Sequence, residues 1–396
     1  MSRYSSGVKP GEIPPIYDEI MLARKGQEVR HASSTMPWWN PRYWRKRVWA
    51  AIIIVIIVIV IIIVAVAVGK ARKNIYPDYT PLSYSLKDTC KCLSSSAWMK
   101  RPANHCPDGG ESFFDQFNYF TGYDPTEGFV HYVPKAQAEL LNLTYASPST
   151  AVIKVDTSVG PNDKPNASTG RFSVRIESKK TYENGLFIFD VKHTPYGCGT
   201  WPALWLTDPF NWPNHGEIDV MESTNKAEDG NQMTLHTTGD CSMDVRREDT
   251  GKTLQKNCNH EKDDNAGCGV LSEPAGYGTV FNKNGGGVMA VEWRHEGIRM
   301  WQFGRDSIPS DIKGNNPKPD TWGTAVADFP NTHCNIGTHF KNQSIIANID
   351  LCGSLVYHVW DNSGCSGKCT DLVANNPEAF ENAYWEFGTF QVYQAG

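Results

Sequence analysis

Basic charge is in short supply. The 396-residue chain carries 38 Lys and Arg against 43 Asp and Glu, for a formal net charge of −5. Nucleic acid is therefore not an expected partner, since its binders concentrate basic surface. Cysteine is absent from the first 89 residues, and all 11 Cys fall from Cys90 onward. That share is far below a disulfide miniprotein's. The outer part lacks long helical periods and shows no internal repeat. The C-terminus ends at Gly396 without an apolar tail, so no GPI anchor is expected. Disorder of the whole chain is excluded by a hydrophobic content of 40% and an aromatic content of 11%.

Charge is also absent from Val48 to Gly69, a run of 22 residues of which Ala51–Val68 are only Ile, Val and Ala. As a helix, this run spans about 33 Å, enough for a bilayer's hydrocarbon core. It is too long, and begins too far from Met1, for a cleaved signal peptide. Residues 48–69 are therefore expected to be a transmembrane signal-anchor helix in contact with lipid. Residues 1–47 read as a disordered tail with nine Lys/Arg and four Asp/Glu, which favours a cytoplasmic N-terminus. Trp38, Trp39, Tyr43, Trp44 and Trp49 suit a membrane interface. The sequons at Asn142, Asn166 and Asn342, like every Cys, lie beyond the apolar run. Together they place residues 70–396 outside the cell or in the secretory lumen, as a single-pass type II protein.

Residues 70–110 read as a linker and entry segment, followed by a domain at 111–396. That domain shows short apolar or alternating runs at Arg171–Ser178, Gly185–Lys192, Ala203–Thr207, Glu217–Glu222, Gln232–Thr237, Gly287–Arg294, Gly297–Phe303, Ser344–Leu351 and Glu386–Tyr393. Turn-forming residues separate them, and the pattern predicts an all-β sandwich with long loops. Cys365-Ser-Gly-Lys-Cys369 and Cys90-Lys-Cys92 lack a companion His pair, so disulfides are expected rather than zinc. The odd count leaves one thiol unpaired within the chain or bridged to another chain. The connectivity stays open.

Glu217-Ile-Asp219-Val-Met-Glu222 places three carboxylates within six residues of an apolar run. In a regular strand Glu217 and Asp219 share a face and Glu222 points away. A β-bulge at Val220-Met221 would return Glu222 to their side. Crowded carboxylates repel, which raises at least one pKa and leaves a proton donor near neutral pH. One ionised carboxylate and one protonated acid are what glycosidic cleavage requires. A solvated acidic edge would seldom alternate with Ile, Val and Met beside Trp201, Trp205 and Trp212. A calcium site would usually draw its oxygens from a loop. Trp205 and Trp212 are expected in a sugar-binding groove. Trp293, Trp301, Trp322 and Trp360 carry no assignment.

Several motifs then carry a resemblance. They are Asp124-Pro-Thr-Glu-Gly-Phe-Val130, Ser173-Val-Arg-Ile-Glu-Ser178, Gly199-Thr-Trp-Pro-Ala-Leu-Trp205, Glu217–Glu222, Thr234-Leu-His-Thr237, Ser307-Ile-Pro-Ser-Asp-Ile312, Ala374-Asn-Asn-Pro377 and Ala383-Tyr-Trp385. From Phe117 to Tyr393 the chain resembles glycoside hydrolase family 16, within it the fungal endo-1,3(4)-β-glucanases. The resemblance implies a concanavalin A-like β-jelly-roll with an open groove. It implies retaining hydrolysis of 1,3- or mixed 1,3-1,4-β-glucan, with Glu217 as nucleophile, Glu222 as general acid/base and Asp219 tuning the pair. It also places Trp205, Trp212, His236 and Arg175 along the substrate. Transglycosylation on the same fold and non-catalytic glucan binding are the alternatives. No cofactor, metal or obligate protein partner is assigned. Two departures stand out: His131 replaces a usual Asn, and Cys352-Gly-Ser-Leu-Val-Tyr357 replaces a usual Cys-Gly-Asp-Trp-Ala-Gly.

Overall fold

The computed structural model describes residues 41, 45–73, 75–90, 113–147, 149–163 and 169–396. The expectations for the tail before Arg45 (Pro41 apart), for Cys92 and Cys106, and for the Asn166 sequon lie outside them. Two compact units emerge, Met1–Ala65 and Val66–Gly396. The apolar run lies within helix α1 (Lys46–Lys73), which buries no residue. Among the described residues α1 is the helix long and apolar enough to cross a membrane, with a mean hydropathy of 3.9.

The strands follow in chain order as β1 (Tyr84–Cys90), β2 (Phe117–Tyr119), β3 (Val130–Tyr132), β4 (Thr144–Ala146), β5 (Ala151–Lys154), β6 (Arg171–Ser173), β7 (Arg175–Tyr182), β8 (Gly185–His193), β9 (Thr200–Thr207), β10 (Glu217–Glu222), β11 (Gln232–His236), β12 (Lys252–Thr253), β13 (Cys268–Leu271), β14 (Gly287–Arg294), β15 (Gly297–Gly304), β16 (Ala327–Pro330), β17 (Gln343–Leu351) and β18 (Tyr384–Ala395). One sheet has the order β16-β15-β14-β8-β18-β5-β4, with β1 also on β18. The other has the order β12-β13-β11-β10-β9-β17-β7-β2 and carries the acidic strand. The two antiparallel sheets form a jelly-roll sandwich, as the strand pattern and the resemblance imply.

Side-chain alternation explains the packing. In β8, Phe187, Phe189 and Val191 enter the main core, while Leu186 and Ile188 enter a second cluster with Val288, Ala290, Trp301, Ile312 and Tyr393. The β8 sheet is therefore covered on both faces, and its strands read as continuous apolar runs. In β10 it is Ile218, Val220 and Met221 that enter the main core.

Part of the stretch expected as a linker and entry segment pairs with the domain. The six paired residues of β1 run antiparallel to β18, from Tyr84↔Ala395 to Cys90↔Phe390. Tyr84 Oη donates to Glu292 Oε1 at 2.7 Å, and Arg294 Nη1 donates to the Thr80 carbonyl at 3.0 Å. The Arg299 guanidinium lies 4.2 Å from the centre of the Tyr79 ring. Tyrosines spaced along a polar segment have no strand or helix period, which is why the segment reads as a linker.

Four disulfides connect Cys198–Cys365, Cys241–Cys334, Cys258–Cys268 and Cys352–Cys369. The pairing question is thus confined to Cys90, Cys92 and Cys106.

Candidate active site

The chain turns into β10 at Gly216, whose φ is +67°. A Cβ there would meet the His339 carbonyl oxygen and the Phe340 ring at 2.7 Å. Glycine is thus required by conformation and by space. Glu217 follows at once.

The bulge falls within the expected pair. Against β9, Asp219 faces Trp205 and Met221 faces Leu204, so Val220 is the extra residue. Against β11 the register also shifts between Asp219 and Glu222. Asn231 holds this irregularity. Its Oδ1 accepts from the Glu222 N–H at 3.1 Å, and its Nδ2 donates to the Val220 carbonyl at 2.9 Å. The Asn231 side chain replaces the bonds the ladder loses at the bulge.

All three carboxyls have raised pKa values, each first by burial. Glu217, half-buried, is pushed up to about 7, against the lowering effects of the Trp212 N–H, of Asp219 and of the Arg175 charge. Asp219 lies well above its ordinary range through burial and the charges of Glu217 and Glu222. It keeps its proton and donates to Glu217. Glu222 is raised by burial and by the Glu217 charge, while the Trp201 N–H and His236 oppose that rise. The Trp201 Nε1–Glu222 Oε1 distance is 2.8 Å. The three carboxyls thus retain protons toward neutral pH.

His236 is buried and its pKa is lowered by that burial, so the ring is neutral. Nδ1 lies 3.0 Å from Asn265 Oδ1, and Nε2 lies 3.4 Å from Asp219 Oδ2. Oxygen and nitrogen atoms of Glu217, Asp219 and His236 fall within 4.8 Å of one another, a spacing that would also suit one cation.

The other expected residues converge here. Trp205 Nε1 donates to Asn348 Oδ1 at 2.8 Å. The Arg175 guanidinium lies between the Trp205 and Phe120 rings, 5.1 and 4.6 Å from their centres, and pairs with Glu177 at 2.8 Å. Trp212 is 39% exposed and meets His260 edge-on at 5.2 Å. Its loop is held by Asp208, which accepts from the Phe210 N–H, Asn211 Nδ2, His215 Nδ1 and Asn342 Nδ2. The departing His131 is exposed and stacks on Phe172. Sequence reading did not single out Asn231, Asn265, His260 or Asn348, nor the bond from Trp201 to Glu222. Their partners lie up to 143 residues away, and no local pattern marks them.

Comparison with known proteins identifies the family. The profile of the XgeA-like catalytic GH16 domain matches residues 117–393. A "probable glycosidase" of Schizosaccharomyces pombe is 45% identical over 291 residues, covering 72% of this chain and 67% of that protein. Next come fungal relatives bearing endo-1,3(4)-β-glucanase names, of which the chain covers 44% to 63% in the first two. The GH16 laminarinase 16A of Phanerochaete chrysosporium, solved with β-glucans in donor and acceptor sites, is 40% identical with a TM-score of 0.70. The alignment covers 79% of this chain and all of that one. An elongating GH16 β-1,3-glucosyltransferase is 35% identical with a TM-score of 0.69, over 79% of this chain and all of that one. The chain belongs to glycoside hydrolase family 16.

Proposed function

We propose that the domain is an endo-acting, retaining β-glucanase that hydrolyses 1,3- or mixed 1,3-1,4-β-glucan. The observation that carries this reading is the bulged strand, which brings Glu217, Asp219 and Glu222 close enough to shift one another's pKa values. Glu217 attacks the anomeric carbon while Glu222 gives its proton to the departing glycosidic oxygen. The C–O bond electrons leave with that oxygen, and a glycosyl ester forms on Glu217. Ionised Glu222 then takes a proton from water, whose oxygen displaces Glu217 and restores the β-configuration. Asp219 donates to Glu217 and so steadies it both as nucleophile and as leaving group. Trp205, Trp212, Arg175 and His236 bind the sugars.

The test uses the detergent-solubilised full chain on laminarin and lichenan, reading reducing ends, product anomer and chain length together. Retained configuration with mid-chain cuts is expected. Inverted product, or full activity in Glu217→Gln, would overturn the assignment.

The similarity to an elongating glucosyltransferase favours a second reading. A sugar hydroxyl could replace water at the same glycosyl ester. Products longer than the substrate distinguish transfer from hydrolysis.

We further read α1 as a signal anchor, with the preceding tail cytoplasmic and the catalytic domain extracellular or luminal. Four disulfides on the C-terminal side support this. In sealed microsomes the C-terminal part should resist protease, and its digestion would reverse the topology.

A further inference from the structure

A second buried carboxylate contact lies behind the site, at the end of β17. Asp124 Oδ2 accepts from the Thr126 N–H at 2.9 Å, the Gly128 N–H at 3.0 Å and the Thr126 hydroxyl at 2.5 Å. The same hydroxyl oxygen lies 3.0 Å from Asp350 Oδ2. A hydroxyl has one hydrogen. The Asp350 and Asp124 carboxyls are also hydrogen-bonded to each other, which needs a hydrogen on Asp350, while the one Thr126 hydrogen serves either carboxyl. The other Asp350 oxygen is already an acceptor, taking the Leu351 N–H at 2.6 Å. Asp350 is 2% exposed.

The surroundings favour the neutral acid. Asp124 and Glu127 face this corner from the turn, Tyr132 from β3 and Tyr357 from the helix Gly353–Val359. None of them brings a positive charge. Burial, then the Asp124 charge, holds Asp350 well above the usual carboxylate range.

The corner leads directly to the acid/base. Asp350 faces Trp201 across the β17–β9 ladder. Gly353, at φ +81°, fills the space between them. A Cβ there would come within 2.9 Å of Asp350 Oδ2 and 3.1 Å of Trp201 Cε3. From the far side of the same indole, Nε1 donates to Glu222. Carboxyl, glycine backbone and indole are packed without a gap.

We propose that Asp350 is a positioning residue: its side chain carries a hydrogen into the Asp124–Thr126 turn and so fixes the seat of Trp201 beside Glu222. The proposal rests on Glu222 being the acid/base. Loss of the Asp350 hydrogen would set two carboxylates against one hydroxyl, open the corner and free the indole. Without the Trp201 bond the protonated form of Glu222 gains, and the alkaline limb of activity moves to higher pH.

The experiment compares kcat/KM against pH on laminarin for the full chain, Asp350→Asn, Asp350→Ala, Thr126→Val, Trp201→Phe and the Asp350→Ala/Trp201→Phe double variant. Asparagine reproduces the neutral acid, with Nδ2–H for the Asp124–Thr126 pair and Oδ1 for Leu351. Asp350→Asn should stay within about twofold of the parent, its limb unmoved. Asp350→Ala and Thr126→Val should lose about tenfold and move the limb upward, as Trp201→Phe does. The double variant should move it no further than Trp201→Phe alone. A moved limb in Trp201→Phe with an unmoved one in Asp350→Ala and Thr126→Val overturns the proposal alone. An unmoved limb in Trp201→Phe overturns the Glu222 assignment and the proposal with it. If Asp350→Ala does not fold, Thr126→Val and Asp350→Asn carry the same decision. Thermal unfolding supplies a readout independent of turnover. Asp350→Asn should be at least as stable as the parent at pH 7, and marked destabilisation there overturns the neutral acid.

Discussion

Asn231 donates to the Val220 carbonyl and thereby holds open the one-residue bulge between Asp219 and Glu222. Without the bulge, Glu222 would face the core beside Ile218. Asn231→Ala leaves the buried Val220 carbonyl and Glu222 N–H without partners, at about 1–3 kcal/mol each. The expected result is a lower melting temperature together with a kcat loss of about tenfold or more, because Glu222 is displaced. Normal kcat in a folded variant would show that the bulge holds without Asn231.

Removal of Glu222 should be felt most where the leaving group needs a proton. Glu222→Ala is expected to lose about 10²–10⁴-fold on glucan. On an activated aryl β-glucoside, whose phenolate departs unaided, the first step should be nearly intact. Equal losses on both substrates would contradict the acid/base role.

Stability should decline from mildly acidic to neutral pH. Glu217, Asp219 and Glu222 have raised values, first through burial, as does Asp328, which reaches about 6. A carboxyl with a raised folded pKa binds more protons folded than unfolded. Its stabilisation is complete below the unfolded value near 4 and is lost as pH rises through the folded value. Asp208 has the opposite sign. Hydrogen bonds from Asn342, Asn211, His215 and the Phe210 N–H outweigh burial and lower it to about 2, so its contribution is lost as pH falls through that value. The raised carboxyls should therefore lower the melting temperature between about pH 5 and pH 7, against His193, His236 and His339, whose values, lowered first by burial, add stability as pH rises. Asp219→Asn should flatten the decline toward pH 7, and an undiminished slope would show that Asp219 does not carry the proton.

The loop closed by Cys258–Cys268 holds both His260, against Trp212, and Asn265, against His236. Closing ten residues contributes about 3 kcal/mol in the chain-entropy model. Replacing both cysteines by Ala should raise KM for glucan more than it lowers kcat, since the loop walls the groove and does not touch Glu222. A kcat loss with KM unchanged would place the loop at the reacting centre instead.

Legibility followed locality. β10 and β14 coincide with their apolar runs, and the bulge could be placed because three acids cannot share one strand face without it. β12 and β16 are two and four residues long and show no alternation, so they emerge only from pairing. The strap before β1 is held by Tyr79, Tyr84 and arginines more than 200 residues away. The acids and a raised pKa among them were legible, whereas the groups that set each value were not. Burial and the Trp201 and Trp212 N–H groups set them, and these act only once the strands have paired.

Gly216 offers the sharpest separation of geometry from chemistry. Gly216→Ala alters no titrating group, yet it forces a Cβ to within 2.7 Å of Phe340 and His339 in a left-handed backbone. The backbone cost alone is about 1–2 kcal/mol. The clash can be relieved only by moving the 208–216 loop or the start of β10, which carry Trp212 and Glu217. The variant should fold with reduced stability, keep the parent's pH profile in shape, and lose about tenfold or more in kcat/KM. A second variant, Phe340→Leu, removes the ring from that space. Adding it to Gly216→Ala should restore part of the activity if the clash with the ring is the cause. No recovery would assign the loss to the backbone conformation and the His339 carbonyl.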